Sequence, residues 1–384
     1  MDPRTGLPTV GMVGAGQLAR MTHQAAIGLG QSLRILAVGP EESAALVGAD
    51  VVLGDHTSYD DLRRFAAGCD VVTWDHEHVP QEHIRRLAAE GHSALPCADA
   101  LIFAQDKQLM RGRVEKLGIG VPEWAPVSTV DDVDSFAGKH GWPVVLKGVT
   151  GGYDGRGVWV LPDVVAVEPV VSQGIALLAE RHVAMISELA AVVARSPYGQ
   201  VAVWPVVETV QRDGICVEVL APAPGLDEGT ATTAQQMAIR LATGLDVVGV
   251  LAVELFRTED GLLVNELAMR PHNSAHWTIE GSRTSQFEQH LRAVLDYPLG
   301  DTRMTAPAVA MANVLGGPVD GPGIDERLHH LMARWPAAKV HLYGKRVRPG
   351  RKIGHVTVLG EDVAEVRAGA AAAAAYLAGT GSSP

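Results

Sequence analysis

Short apolar runs separated by amphipathic stretches set the rhythm of the first hundred residues. The runs in TVGMVGAG, LRILAVG and DVVTWDHE predict strands, and the spacing in QLARMTHQAAIGLG and SYDDLRRFAAG predicts helices. Strand–helix alternation of this kind predicts a parallel sheet with crossover helices over residues 1–100. A single helix, ALIFAQDKQLMRGRVEKLG, is expected within 101–125, ending at a glycine turn and Pro122. Residues 126–183 predict a smaller α/β unit, with a helix near DDVDSFAGKHG, a strand WPVVLKG, a glycine loop and a strand VWVL. From 184 to 300, strands rich in Val and Ala (AAVVARS, QVAVWPVV) lead to a hairpin and the helix SQFEQHLRAVLD. The last region, 301–384, predicts strands in AVAMANVLGG, KVHLYGK and KIGHVTVLG, then an alanine-rich helix and a frayed GTGSSP tail.

The hairpin poses an electrostatic problem. Its apolar runs, VGVLAVELF and LLVNELA, flank the turn TEDG, and each carries one acid, Glu254 and Glu266. With the loop centred on residue 260, these two acids face each other directly, a pairing that destabilises a sheet. A hard divalent cation between them turns the repulsion into coordination, and Mg²⁺ commonly uses one or two carboxylates together with substrate phosphates. Asn265 reaches the same point only if the strand twists or bulges there. Register slippage with both acids in solvent is the competing reading, and the apolar neighbours oppose it.

Two glycine-rich turns suggest phosphate sites. VGAGQLA (Gly14, Gly16, Gln17, Leu18) follows a strand and opens a helix, the context in which backbone N–H groups hold an anion. A dinucleotide fold wants an acid closing the next strand. Gly39 and Pro40 stand there instead, which weighs against an NAD-dependent oxidoreductase. In VVLKGVTGGYDGRG a strand delivers Lys147, and five glycines follow within residues 148–157. The spacing excludes a GxxxxGK[ST] loop. Tyr153, Asp154 and Arg156 exceed what a plain turn needs and favour a mobile phosphate lid. Downstream, Arg270, His272 and Asn273 in RPHNS suit a planar anion or an oxyanion pocket, with helix capping as the plainer alternative. His76 and His78 in WDHEH lack a third partner for zinc. The basic run GKRVRPGRK (344–352) reads as a solvated loop or a phosphate clamp.

Composition narrows the class. The 384 residues, 47% hydrophobic and 20% charged, fit a globular enzyme of two or three domains. A net charge of −12 argues against a nucleic-acid partner. Three scattered cysteines, the absence of a secretory pattern at the N-terminus, and the lack of any apolar run of roughly 18–20 residues point to a cytoplasmic protein with no membrane partner.

Taken together, GGYDGRG, NELAMRPHNSAHWTIEG and TSQFEQHLRA resemble the ATP-grasp superfamily, and within it the N5-carboxyaminoimidazole ribonucleotide synthases of purine biosynthesis. The resemblance runs over nearly the whole chain. It implies a pre-ATP-grasp Rossmann-like domain (1–100), an ATP-grasp domain (101–300, lid 126–183) and a small β-rich C-terminal domain with a terminal helix (301–384). It also implies an ATP- and bicarbonate-dependent ligase that carboxylates 5-aminoimidazole ribonucleotide through carboxyphosphate, working as a homodimer. Lys107 and Lys147 would bind ATP, with Gln211 and Asn265 nearby. Gly152, Tyr153, Asp154, Gly155, Arg156 and Gly157 would close over the triphosphate. Glu180, Arg181, His182 and Val183 would form the adenine hinge, and Glu188 would accept hydrogen bonds from the ribose. Glu254 and Glu266 would hold Mg²⁺ or Mn²⁺. Gly14, Gly16, Gln17, Leu18, Glu77, Lys345 and Arg351 would bind the imidazole nucleotide. Tyr153, Asp154, Arg270, His272 and Asn273 would serve the chemistry, Asp154 as proton acceptor. The chain departs from the family pattern at Asp75, Arg181, His182, Gln211 and Met269, and has Lys107 where some relatives have Arg. A formate-dependent glycinamide ribonucleotide transformylase and a catalytically dead nucleotide binder are the remaining alternatives.

Overall fold

The computed structural model describes residues 1–152, 155–317 and 321–381. Tyr153 and Asp154, two of the expected catalytic residues, lie outside the described residues. The first unit is the expected parallel sheet: β1 (Thr9–Val13), β2 (Ser32–Ala37), β3 (Asp50–Leu53) and β4 (Val71–Trp74), in the order β3-β2-β1-β4. Its helices are α1 (Gln17–Gly28), α2 (Tyr59–Ala66) and α3 (Gln81–Ala89). β3 and α3 were not anticipated; the four residues of β3, three half-buried and one exposed, are too few to show a period.

The helix expected across 101–118 is two helices, α4 (Ala98–Gln105) and α5 (Lys107–Lys116). Asp106 separates them in an extended conformation, and its carboxylate accepts from the Leu109 N–H at 2.8 Å. An N-cap preference thus overrides the apolar period. The break matters for the site, because the Lys107 N–H donates to Val149 O (2.9 Å), which ties the start of α5 to the base of the glycine loop.

The lid unit comprises β5 (Trp124–Val127), α6 (Val130–His140), β6 (Val144–Gly148), β7 (Val158–Leu161), α7 (Glu168–Val171) and β8 (Leu177–Arg181). Its antiparallel sheet runs β5-β8-β6-β7 over a core that includes Val133, Phe136, Leu146 and Leu177. A capping box between Thr129 and Asp132 starts α6.

The large sheet contains β9 (Ser187–Arg195), β10 (Val201–Val203), β11 (Val207–Arg212), β12 (Ile215–Ala221), β13 (Gly249–Thr258), β14 (Gly261–Ala268), β15 (Ala308–Leu315), β16 (Lys339–Leu342) and β17 (Lys352–Gly360). Its order is β14-β13-β9-β11-β12-β15-β17-β16, with β10 on β9. The C-terminal strands therefore extend the large sheet through β12–β15 pairing and do not form a sheet of their own. Around it lie α8 (Glu228–Gly244), α9 (Thr278–Gly281), α10 (Gln286–Val294), α11 (Ile324–Arg334) and α12 (Val363–Ala378). α8 escaped the sequence reading because its buried face, Ala234, Met237, Ala238, Leu241 and Ala242, is mostly small and gives little contrast with the Thr and Gln around it. β9 and β13 are covered on both faces, by separate apolar clusters, and so read as continuous apolar runs. Among the described residues no helix is long and apolar enough to cross a membrane.

Candidate active site

β13 and β14 pair as expected where the acids lie: Ala252 faces Ala268, Val253 faces Leu267 and Glu254 faces Glu266. Beyond the acids Leu255 faces Val264, so Asn265 is an extra residue and the strand bulges there. The bulge lets Asn265 Oδ1 accept from Lys147 Nζ at 2.9 Å while Glu266 stays opposite Glu254. Burial, then Glu266 and Glu188, push the Glu254 carboxyl up to about 8. Glu266 Oε1 has Lys107 Nζ at 3.1 Å. The Nε2 of His272 lies 3.3 Å from Glu254 Oε1. Burial, then Arg270 and Lys352, take His272 down to about 3, so this is a neutral imidazole beside the carboxyl. Among the described residues no cluster of three or more His, Cys, Asp or Glu has metal-site geometry. Two facing carboxylates with a bulged amide, one held abnormally protonated, instead fit a hard cation that takes its remaining oxygens from phosphate and water.

Glu254 and Glu266 line a cavity of about 980 Å³ between the lid, the large sheet and the first unit. On the lid side Lys147 is buried, 2.8 Å from Glu180 Oε2. Arg111, fully buried on α5, meets the other Glu180 oxygen at 2.6 Å and donates to Val264 O at 2.9 Å. The Glu180 side chain, which also lines the cavity, is thus engaged by two cations and orients Lys147. Burial opposes its charge, yet Lys147 and Arg111 hold the carboxyl below its ordinary value. Arg181, His182 and Val183 line the cavity as expected, with Arg181 also paired to Glu123. Glu188 and Gln211 line it too; burial raises the Glu188 carboxyl and a hydrogen bond from Gln211 partly offsets this. In the glycine loop, Gly152, Gly155 and Arg156 line the cavity, and Lys107 Nζ donates to Gly151 O at 3.2 Å. Gly152 (φ +82°) admits no side chain, since a Cβ there would lie 2.7 Å from Arg156 O. Gly157 accepts from the Gly148 N–H at 2.9 Å and closes the loop base.

On the opposite side the glycine turn is braced by Asp75, whose carboxylate accepts from the Gly16 N–H and, at 3.1 Å, from the Ala19 N–H. The departure at Asp75 thus caps α1, leaving Gln17 and Leu18 to line the cavity. Gly14 (φ +98°) is required because a Cβ would come within 2.8 Å of the His76 ring. Glu77 Oε2 accepts from Arg270 Nε at 2.9 Å, which fixes the guanidinium at the cavity wall. Asn273 also lines the wall and exchanges amide hydrogen bonds with Asn313 (3.0 and 2.7 Å). Lys345 hydrogen-bonds Gln17. Arg351, expected in the nucleotide pocket, is exposed and outside the lining, whereas its neighbour Lys352, which opens β17, lines the cavity. Adjacent residues of an extended chain point to opposite sides, so a basic run does not reveal which of its members turns inward. The rings of His56 and His78 flank His76, with centroids 4.4 and 5.4 Å away. Sequence reasoning assigned no role to Arg111 or Gln286, and considered Lys352 only as part of the basic run 344–352.

Comparison with known proteins agrees along nearly the whole chain. Residues 7–105 match the ribonucleotide synthetase preATP-grasp domain, 112–287 the ATP-grasp domain, and 309–369 the phosphoribosylaminoimidazole carboxylase C-terminal domain. The N5-carboxyaminoimidazole ribonucleotide synthase of Mycobacterium tuberculosis is 57% identical over 96% of this chain and 88% of its own length. The chain belongs to the N5-carboxyaminoimidazole ribonucleotide synthase family. Its relative from Corynebacterium ammoniagenes is 50% identical over 97% of this chain and 92% of its own. Among solved structures, the Aspergillus clavatus synthase in complex with ADP and 5-aminoimidazole ribonucleotide superposes with a TM-score of 0.88 (30% identity, 96% of this chain and 98% of that one). The Thermus thermophilus synthetase does so at 0.85 (38% identity, 98% and 99%). The C-terminal match separates this synthase family from the formate-using alternative, and the paired acids and lysines set it apart from a dead homologue.

Proposed function

We propose that the chain carboxylates the exocyclic amine of 5-aminoimidazole ribonucleotide in an ATP-dependent step of purine biosynthesis, yielding N5-carboxyaminoimidazole ribonucleotide, ADP and phosphate. The observation that carries this reading is one cavity with two chemically distinct walls. One wall holds Lys107, Lys147 and the facing Glu254 and Glu266; the other holds Gln17 and Leu18 at the start of α1 with Arg270, and His272 lies between the two, 3.3 Å from Glu254. A bicarbonate oxygen takes the γ-phosphoryl group as its bond to ADP breaks, forming carboxyphosphate. The amine nitrogen then attacks the carboxyl carbon, or the CO₂ that carboxyphosphate releases; phosphate departs and the amine proton passes to Asp154. Lys147, oriented by Glu180, and Lys107 neutralise the triphosphate, and the glycine loop excludes water. Arg270, held by Glu77, offers a fork for the bicarbonate-derived anion, while neutral His272 and Asn273 supply hydrogen bonds. Glu254 and Glu266 would hold Mg²⁺ or Mn²⁺, which supplies charge neutralisation at the phosphates. No disulfide joins any of the three cysteines, in keeping with a reduced cytoplasmic setting, and the family resemblance carries a homodimer, which sedimentation of the purified chain tests.

ADP release from Mg-ATP and bicarbonate, with and without 5-aminoimidazole ribonucleotide, tests the reaction. Release stimulated by the ribonucleotide is the expected result. Stimulation only by glycinamide ribonucleotide with formate would transfer the chain to the neighbouring ligase class.

A further inference from the structure

Helix α10 carries three fully buried polar side chains, Gln286, Gln289 and His290. Each ties the helix to a different segment. His290 Nε2 meets Thr73 Oγ1 (2.8 Å) and its Nδ1 accepts from the Val250 N–H (3.2 Å). Gln289 grips both backbone groups of Gly300, accepting from its N–H (2.7 Å) and donating to its carbonyl (2.9 Å). Gln286 makes the same double grip on His272: it accepts from the His272 N–H at 2.7 Å and donates to its carbonyl at 2.8 Å. Its second Nε2 hydrogen goes to His276 Nδ1 at 2.9 Å, which places the His276 proton on Nε2. Gln286 itself is fixed, because its N–H donates to Thr278 Oγ1 at 2.9 Å. The chemical difference between the two grips is their cargo. Gly300 lies in an irregular segment and does not line the cavity, whereas His272 is the cavity-wall residue whose imidazole lies against Glu254.

We propose that Gln286 is a positioning residue for the carboxylation. By holding both backbone groups of His272 and fixing the tautomer of His276, it sets the His272 imidazole at the junction of the acceptor pocket and the paired acids. Its contact is with the loop, not with substrate. The inference rests on the functional reading above, in which His272 serves the acceptor side and the lysines serve ATP. Displacing a positioned group by about 1 Å can cost on the order of 100-fold in rate.

The test compares Gln286→Leu with Gln289→Leu, which remove the same kind of grip from the same helix. The readouts are kcat, KM for ATP, and the ratio of ADP released to carboxylated product. Gln286→Leu is expected to lower kcat about 10- to 100-fold and raise that ratio, with KM for ATP changed less than about twofold. Gln289→Leu is expected to lose thermal stability while keeping the wild-type ratio. An unchanged ratio in Gln286→Leu, or an equal change in Gln289→Leu, overturns the proposal. Gln286→Glu keeps the shape and the acceptor for the His272 N–H, so it serves if the leucine variant fails to fold; it should shift the ratio in the same direction by less, and no shift counts against the inference. If the wild-type protein shows no ribonucleotide-dependent ADP release, the functional reading fails by itself. Hydrogen exchange of the segment 270–277 then reads the grip directly: protection lost in the Gln286 variants but kept in Gln289→Leu supports it, and protection kept in all overturns it.

Discussion

Glu180 lies between Lys147 and Arg111 with almost no solvent exposure, so its charge is balanced by the two cations. Replacing one member of such a buried network leaves the others uncompensated. Glu180→Gln is expected to cost about 3–5 kcal/mol of stability and to raise KM for ATP more than KM for the ribonucleotide, as denaturant titration and steady-state kinetics would show. Glu266→Gln should behave differently. It removes one of two facing carboxylates, relieving repulsion in the hairpin, yet lowers turnover by about 100-fold or more through lost metal charge. Unchanged turnover would remove the metal assignment. Lys147, Glu254 and Glu266 were legible in the sequence because a charge inside an apolar strand pattern is conspicuous. Arg111 was not, because an arginine in a polar helix looks solvated until packing takes it to zero exposure.

At the scale of elements, two irregularities build the site. The bulge at Asn265 lets one strand present both Glu266 and Asn265 to the cavity, which strict alternation forbids. The interruption at Asp106 starts a new helix and sets Lys107 against the glycine loop. Asp106→Ala removes the cap of α5 and is expected to cost about 1 kcal/mol, with a rise in KM for ATP because the ammonium of Lys107 loses its anchor point. A fall in stability with ATP kinetics unaltered would show that the break is purely architectural. The hairpin register was readable near the acids, where residues 252–254 pair as a symmetrical loop predicts. It was not readable beyond them, because an inserted residue leaves no trace in the apolar pattern.

Across the whole molecule, buried histidines join the first unit to the large sheet and its C-terminal strands. His276 lies beside His355, with ring centroids 5.2 Å apart; His355 stacks on His341 (4.6 Å) and its Nδ1 meets Tyr343 OH at 2.7 Å. Tyr343 in turn packs on Leu18 and Met21 of the first unit. Burial holds His276 and His355 well below the ordinary imidazole value and takes His290 down to about 4. The folded protein therefore binds protons more weakly than the unfolded chain, whose histidines titrate near 6.5. Stability is expected to fall as pH drops from about 6.5 towards 4, in urea titrations at a series of pH values. His290→Gln, which can still bond Thr73 and Val250, should flatten that slope; an unaltered slope would place the proton uptake elsewhere. The sequence by itself determined the parallel first unit, the hairpin with its facing acids and the glycine loop, because each is encoded by residues within a few positions of one another. Only the tertiary structure decided that Arg111 meets Glu180, that Lys352 and not Arg351 turns inward, and that Gln286 grips His272. Those contacts join segments far apart in the chain, and packing, not local periodicity, selects which side chains meet.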